Sequence, residues 1–170
     1  MIGLVFLLSL SVNILVGHYI SAQKGGDKIF DMGFDMLPNW EHHEHLADYL
    51  LVVPGLFLLF SWNTWTTAKQ NKYLLILSLM YFARALCNAV TVLPYTKREP
   101  CKIKPGLNYY NDYTFSGHTT MNVVTSSFVG APLWPAWPLF SSLVSILTRD
   151  HYTIDIVLAW ILFFAISCNI

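Results

Sequence analysis

Two short segments hold most of the chemistry this sequence could perform. The first runs Asp112-Tyr113-Thr114-Phe115-Ser116-Gly117-His118-Thr119, and the second Arg149-Asp150-His151-Tyr152-Thr153-Ile154-Asp155. Ser116 and Gly117 stand just ahead of an incipient helix. Unpaired N–H groups and the positive end of the helix dipole favour an anion there, and glycine lets the backbone approach it closely. His118 stands beside that site, although the tripeptide taken singly reads first as a helix cap. In the second segment His151 and Asp155 are four residues apart. On a helix they would share a face, with Asp155 accepting from one ring nitrogen and the other left as a nucleophile. Taken singly, this pair reads first as a structural hydrogen bond. An ionisable residue at a membrane span, however, is costly and usually functional. A histidine nucleophile oriented by a carboxylate, a second histidine as acid and base, and an anion cradle suit displacement at phosphorus through a phosphohistidine.

The elements that must position these residues are apolar. Of 170 residues, 55% are hydrophobic and 12% charged, where soluble domains carry roughly 25% charged residues. Ten Lys+Arg balance ten Asp+Glu, so no basic surface exists for the phosphate contacts of a nucleic-acid partner. Apolar residues gather into about six spans, at 1–20, 46–62, 72–93, 118–133, 136–148 and 153–170. The expectation is one all-α domain over 1–170, an integral membrane bundle of about six transmembrane helices. The fifth span falls short of the usual length of about 17–25 residues. With Pro132-Leu-Trp-Pro-Ala-Trp-Pro138 as its turn, it reads as half of a helical hairpin in a thin membrane. The first span has no basic residue ahead of it and no small-x-small cleavage site before Gln23, and reads as a retained helix.

Alternation of the loops puts 21–45, 94–117 and 149–152 on one face. From His118 the chain crosses once and returns, so the two histidines can meet at one surface. At this point the residues resemble a known family. Ser116-Gly117-His118-Thr119 with His151-Tyr152-Thr153-Ile154-Asp155 is similar to the paired motif of the type 2 phosphatidic acid phosphatase superfamily, in its sphingomyelin synthase-like branch. Arg84 followed by Thr91-Val92-Leu93-Pro94, and Asp31-Met-Gly-Phe-Asp-Met-Leu-Pro38, resemble the branch's third-helix and first-loop patterns. The Lys-x6-Arg-Pro motif of the hydrolases does not occur, which favours a transferase.

The resemblance implies that His151 attacks the phosphorus of a phospholipid headgroup, Asp155 holds its tautomer, and His118 protonates the departing diacylglycerol oxygen before deprotonating an incoming lipid hydroxyl. It implies membrane lipids as partners, a phospholipid donor with phosphocholine foremost and ceramide or diacylglycerol as acceptor. It calls for no cofactor and no metal. The family's site faces the lumen or exterior of the endoplasmic reticulum, Golgi or plasma membrane. The basic residues of that face, Lys24, Lys28, Lys97, Arg98, Lys102, Lys104 and Arg149 against Lys69 and Lys72 opposite, argue for the cytosolic side by charge alone. Two other functions use the same residues: a lipid phosphate phosphatase with water as acceptor, and a non-enzymatic lipid-binding protein whose His/Asp pair is structural.

Further residues have a functional and a plain reading. Arg84 interrupts an apolar run and must face the bundle interior or a wet cavity. There it clamps the headgroup phosphate or pairs with Asp31 or Asp112. Arg149 reaches phosphate or snorkels at the interface, and Asp112 caps a loop or partners a substrate group. Glu41-His-His-Glu-His45 lacks the His-Glu-x-x-His order of a metalloprotease, and reads as a polar loop over the active face. Tyr109, Tyr110 and Tyr113 suit either a quaternary ammonium or an aromatic belt. Cys87, Cys101 and Cys168 are too far apart for a CxxC site.

Overall fold

The computed structural model describes residues 2–21, 29–43, 45–91, 93–94, 96, 114–131 and 133–170. Among them the fold is all-helical: α1 (Ile2–Ser21), α2 (Met32–Met36), α3 (His45–Ser61), α4 (Thr67–Val90), α5 (Gly117–Val129), α6 (Ala136–Leu147) and α7 (Thr153–Ser167), with 3-10 turns at Glu41–His43 and Trp62–Thr64. Six of the helices coincide with the apolar spans. The seventh, α2, lies in the connection expected to be an irregular polar loop. Asp31 starts it by accepting from the Phe34 N–H at 3.0 Å, a helix cap written in the first-loop motif itself.

Short-range chemistry sets the other boundaries. Thr66 caps α4 by accepting from Lys69 N, and Ser116 caps α5 by accepting from Thr119 N at 3.1 Å. α5 ends at Gly130, whose φ of +79° is open to glycine and whose N–H reaches Ser126 O. The turn expected at 132–138 begins earlier, at Gly130, and Trp137 and Pro138 belong to the first turn of α6, where a proline needs no N–H partner.

α5 is the centre of the bundle and packs against α3, α4, α6 and α7, while α1 lies along α4. Ile76, Leu77, Met80, Phe115, Val123, Val124 and Ala159 form the core. Polar side chains share it: Ser78, Asn88, Thr119, Thr120, Asn122, Thr125, Ser126 and Ser145 are buried, whereas Leu59, Phe60, Leu86, Val90, Phe140 and Ile161 are exposed. The described exterior thus carries many large apolar side chains, while polar ones share the core with apolar ones. The segments His45–Thr64 and Thr67–Val90 are long and apolar enough to cross a membrane. α5, α6 and α7 have 13, 12 and 15 residues, hence about 20, 18 and 22 Å of helix.

Candidate active site

The connections after α1, α4 and α6 come together at one end of the bundle. Tyr152 Oη donates to Pro94 O at 3.1 Å, and the Thr96 hydroxyl donates to Arg149 O. Trp40 N donates to Leu147 O at 2.7 Å. Asp31 accepts from both the N–H and the hydroxyl of Thr153, at 2.7 and 2.6 Å. One carboxylate thus serves the starts of two helices, α2 and α7.

The start of α5 forms the floor of the site. Ser116 is buried, its N–H reaching Asp155 O at 3.5 Å. Beneath the turn lies the Arg84 guanidinium: Nε donates to Phe115 O at 2.9 Å, and Nη1 donates to Asn13 Oδ1. A Cβ on Gly117 would sit 3.5 Å from Arg84 Nε, an ordinary contact, so the cation is at van der Waals distance from the helix start. Arg84 faces the bundle interior, as an arginine in an apolar run must. Asp31, named as a candidate partner, is engaged at Phe34 and Thr153. Asp112, named as another partner and as a substrate residue, lies outside the described residues, as do Tyr109, Tyr110, Tyr113, Cys101 and the basic residues of 24–28 and 97–104.

The two histidines meet above this floor, ring centroids 6.1 Å apart and planes inclined by 63°. His118 Nε2 is 2.8 Å from Asp48 Oδ1, in the first turn of α3. His151 is buried, and its Nδ1 lies 3.7 Å from Asp155 Oδ2. That spacing is longer than a hydrogen bond, and the origin of the contact differs from the expected one. His151 lies outside α7, which begins at Thr153, so no shared helical face joins the pair. Asp155 instead folds back onto the start of its helix, Oδ2 accepting from Tyr152 N at 3.0 Å, and this turn brings it to His151.

Arg149 takes a left-handed conformation, φ +60°, in the turn ahead of His151. Its Nη2 donates to Phe34 O at 2.7 Å and to Leu37 O at 3.1 Å, and the guanidinium stacks over the Phe34 ring at 4.4 Å. The side chain is buried, and these contacts hold α2. Burial draws its pKa below the usual arginine value, against the opposing pull of Asp31, Glu41 and Asp35. Burial, with Asp155 and Asp31 nearby, pushes the Tyr152 phenol up to about 12.

Sequence reasoning missed Asp48, Asn13 and the pair Asn122–Trp137. Asp48 had a signal of its own, a carboxylate in the first turn of an apolar span. Asn122 donates to His118 O at 2.9 Å, and Trp137 Nε1 donates to Asn122 Oδ1 at 3.0 Å and to Leu50 O at 3.2 Å. The histidines of 41–45 form no metal-holding group among the described residues. Comparison with protein-family models, curated proteins and solved structures finds no match for this chain.

Proposed function

We propose that this chain is an integral membrane phosphotransferase that moves a phospho-headgroup, phosphocholine foremost, from a glycerophospholipid to ceramide or diacylglycerol through a phosphohistidine. The observation that carries the reading is the meeting of His118 and His151, each beside its own carboxylate, over a helix start backed by a buried arginine. The bundle around them supports a membrane setting, because large apolar side chains face outward and two segments, His45–Thr64 and Thr67–Val90, are long and apolar enough to cross.

In the mechanism the donor phosphate rests on the N–H groups opening α5, with the Arg84 charge behind them balancing the charge that develops at phosphorus. Nδ1 of His151 is on the Asp155 side, so Nε2 is the attacking atom. A phosphorus–nitrogen bond forms as the bond from phosphorus to the diacylglycerol oxygen breaks. Protonated His118 gives its proton to that departing oxygen. The same imidazole then takes the proton from an incoming lipid hydroxyl, whose oxygen attacks phosphorus and releases His151. Asp48 at 2.8 Å holds the His118 ring in place.

A second reading, hydrolysis, uses the same steps with water as acceptor. It is favoured by the openness of the Asp48 side chain, 62% exposed against 27% for its partner His118, which lets water reach the acid–base pair. The deciding experiment supplies headgroup-labelled phosphatidylcholine, with ceramide and diacylglycerol, to membranes containing the chain or its His151→Ala variant. Labelled sphingomyelin lost in the variant supports the transferase, and free phosphocholine supports the hydrolase. Label confined to phosphatidylcholine calls for acyl-tagged diacylglycerol to expose exchange. Absence of any His151-dependent product with choline, ethanolamine and inositol donors would overturn both readings and leave a lipid-binding protein.

A further inference from the structure

The segment carrying α2 is tied down from several sides. Asp31 is bound to Thr153, and Arg149 grips the carbonyls of Phe34 and Leu37. The Phe34 ring stacks on Tyr152 at 5.4 Å. Gly33 makes the close approach possible. A Cβ there would lie 2.2 Å from Thr153 Oγ1 and 2.9 Å from Ile146 Cγ2, and the threonine hydroxyl is already committed to Asp31. Four separate devices therefore strap this short helix across the ends of α6 and α7.

What the strap turns outward is apolar. Phe30 is 79% exposed, Met36 75% and Met32 60%, with Ile29 and Trp40 exposed beside them. Met32 and Met36 are four residues apart in one helical turn and share a face. A fixed cluster of this size marks an interaction surface, and two observations identify its occupant. First, α6 and α7 supply about 18 and 22 Å of helix, short of a hydrocarbon layer of about 30 Å by roughly 12 and 8 Å. Second, their own exposed apolar residues, Leu143 and Ile154, lead up to the ends that α2 crosses, so its outward residues continue the same apolar exterior.

We infer that α2 and its flanks lie in the membrane interface, with Ile29, Phe30, Met32, Met36 and Trp40 among the acyl chains. The strap extends the lipid-facing surface of the short α6–α7 hairpin on the side of the two histidines. Asp35 and Glu41 stay at headgroup level. Residues 29–43 contain no Lys or Arg, so apolar burial rather than attraction to anionic lipid holds the segment. The inference rests on the membrane reading above.

Its test uses the full chain, with native cysteines replaced by serine, reconstituted in phosphatidylcholine vesicles. Single nitroxide probes are attached after Met32→Cys, Met36→Cys, Phe60→Cys and Asn63→Cys. Collision with oxygen reports lipid, and collision with a water-soluble nickel chelate reports water. The oxygen-to-nickel accessibility ratios at 32 and 36 should match that at 60 and exceed that at 63, with no change when anionic lipid is added. A water-like ratio at 32 and 36 beside a lipid-like ratio at 60 overturns the strap alone. Low accessibility to both reagents with spin–spin broadening means that a second copy covers the surface, and overturns it too. A water-like ratio at 60 overturns the membrane reading, and the strap with it.

Discussion

Replacing Trp137 with phenylalanine tests how α3, which carries Asp48, is held against α5, which carries His118. Pro54 lies inside α3 and has no N–H, so the carbonyl of Leu50, four residues earlier, loses its helical donor. The Trp137 indole replaces it at 3.2 Å, while also donating to Asn122 Oδ1 at 3.0 Å. Phenylalanine retains most of the packing and deletes the donor. A buried acceptor left unpaired costs about 1–3 kcal/mol, but hydrogen bonds between helices in lipid average about 0.6 and reach about 1.7 kcal/mol. The half-buried indole places the expected loss near 1 kcal/mol. Pro54→Ala restores an N–H for Leu50, so Trp137→Phe should cost less in that background, with a coupling of about 0.5–1 kcal/mol. The assay is unfolding of the full chain from mild detergent micelles by sodium dodecyl sulfate, followed by near-ultraviolet circular dichroism for all four members of the cycle. An equal cost of Trp137→Phe with and without Pro54 would refute the reasoning that the indole stands in for a missing backbone donor.

Asp48→Asn should lower kcat by about 10- to 100-fold with KM for the donor lipid unchanged, because the amide retains the contact to His118 but not the charge; a changed KM with kcat intact would point to lipid binding instead. Arg149→Lys should destabilise the fold by about 1–3 kcal/mol, since an ammonium cannot bridge the Phe34 and Leu37 carbonyls and stack on the Phe34 ring together; the detergent midpoint reads this, and an unmoved midpoint contradicts the clamp. Tyr152 supplies a pH test. Its phenol titrates at about 12 in the folded protein against 10.0 for the unperturbed group, so the fold holds the proton more tightly than the unfolded chain. The resulting stability is fully present below pH 10 and is lost as pH rises toward 12. Tyr152→Phe should flatten that part of the stability profile, and an identical alkaline slope in wild type and variant would remove the phenol from the account.

The helices and their ends were legible wherever contiguous residues encode them. Ser116, read as a helix cap, does cap α5; the Asp31 and Thr66 caps and the stop at Gly130 are as local but were not read. The alternation of apolar spans was enough to bring residues 118 and 151 to the same end. What misled was an inference from spacing. Residues 151 and 155 have the separation of a helical face, yet the helix begins between them, at Thr153, and a turn makes the contact instead. The polar loop of 21–45 concealed α2 because a single helical turn is too short to leave a periodic pattern.

Composition, spans, caps and the identity of the two histidines follow from the sequence alone, since each depends on residues adjacent in the chain or on their average chemistry. The partners do not. Asp48 with His118, Asn13 with Arg84, Arg149 with the carbonyls of Phe34 and Leu37, and Trp137 with Leu50 join residues 70 or more positions apart, from Asp48 with His118 at 70 to Arg149 with Phe34 at 115. Each depends on the rotation of one helix about its axis and its depth against the next. The apolar residues of α1, α3 and α7 are spread round each helix, so the apolar pattern alone marks no inward face. Only the packing of one helix on another chose which polar atoms would meet.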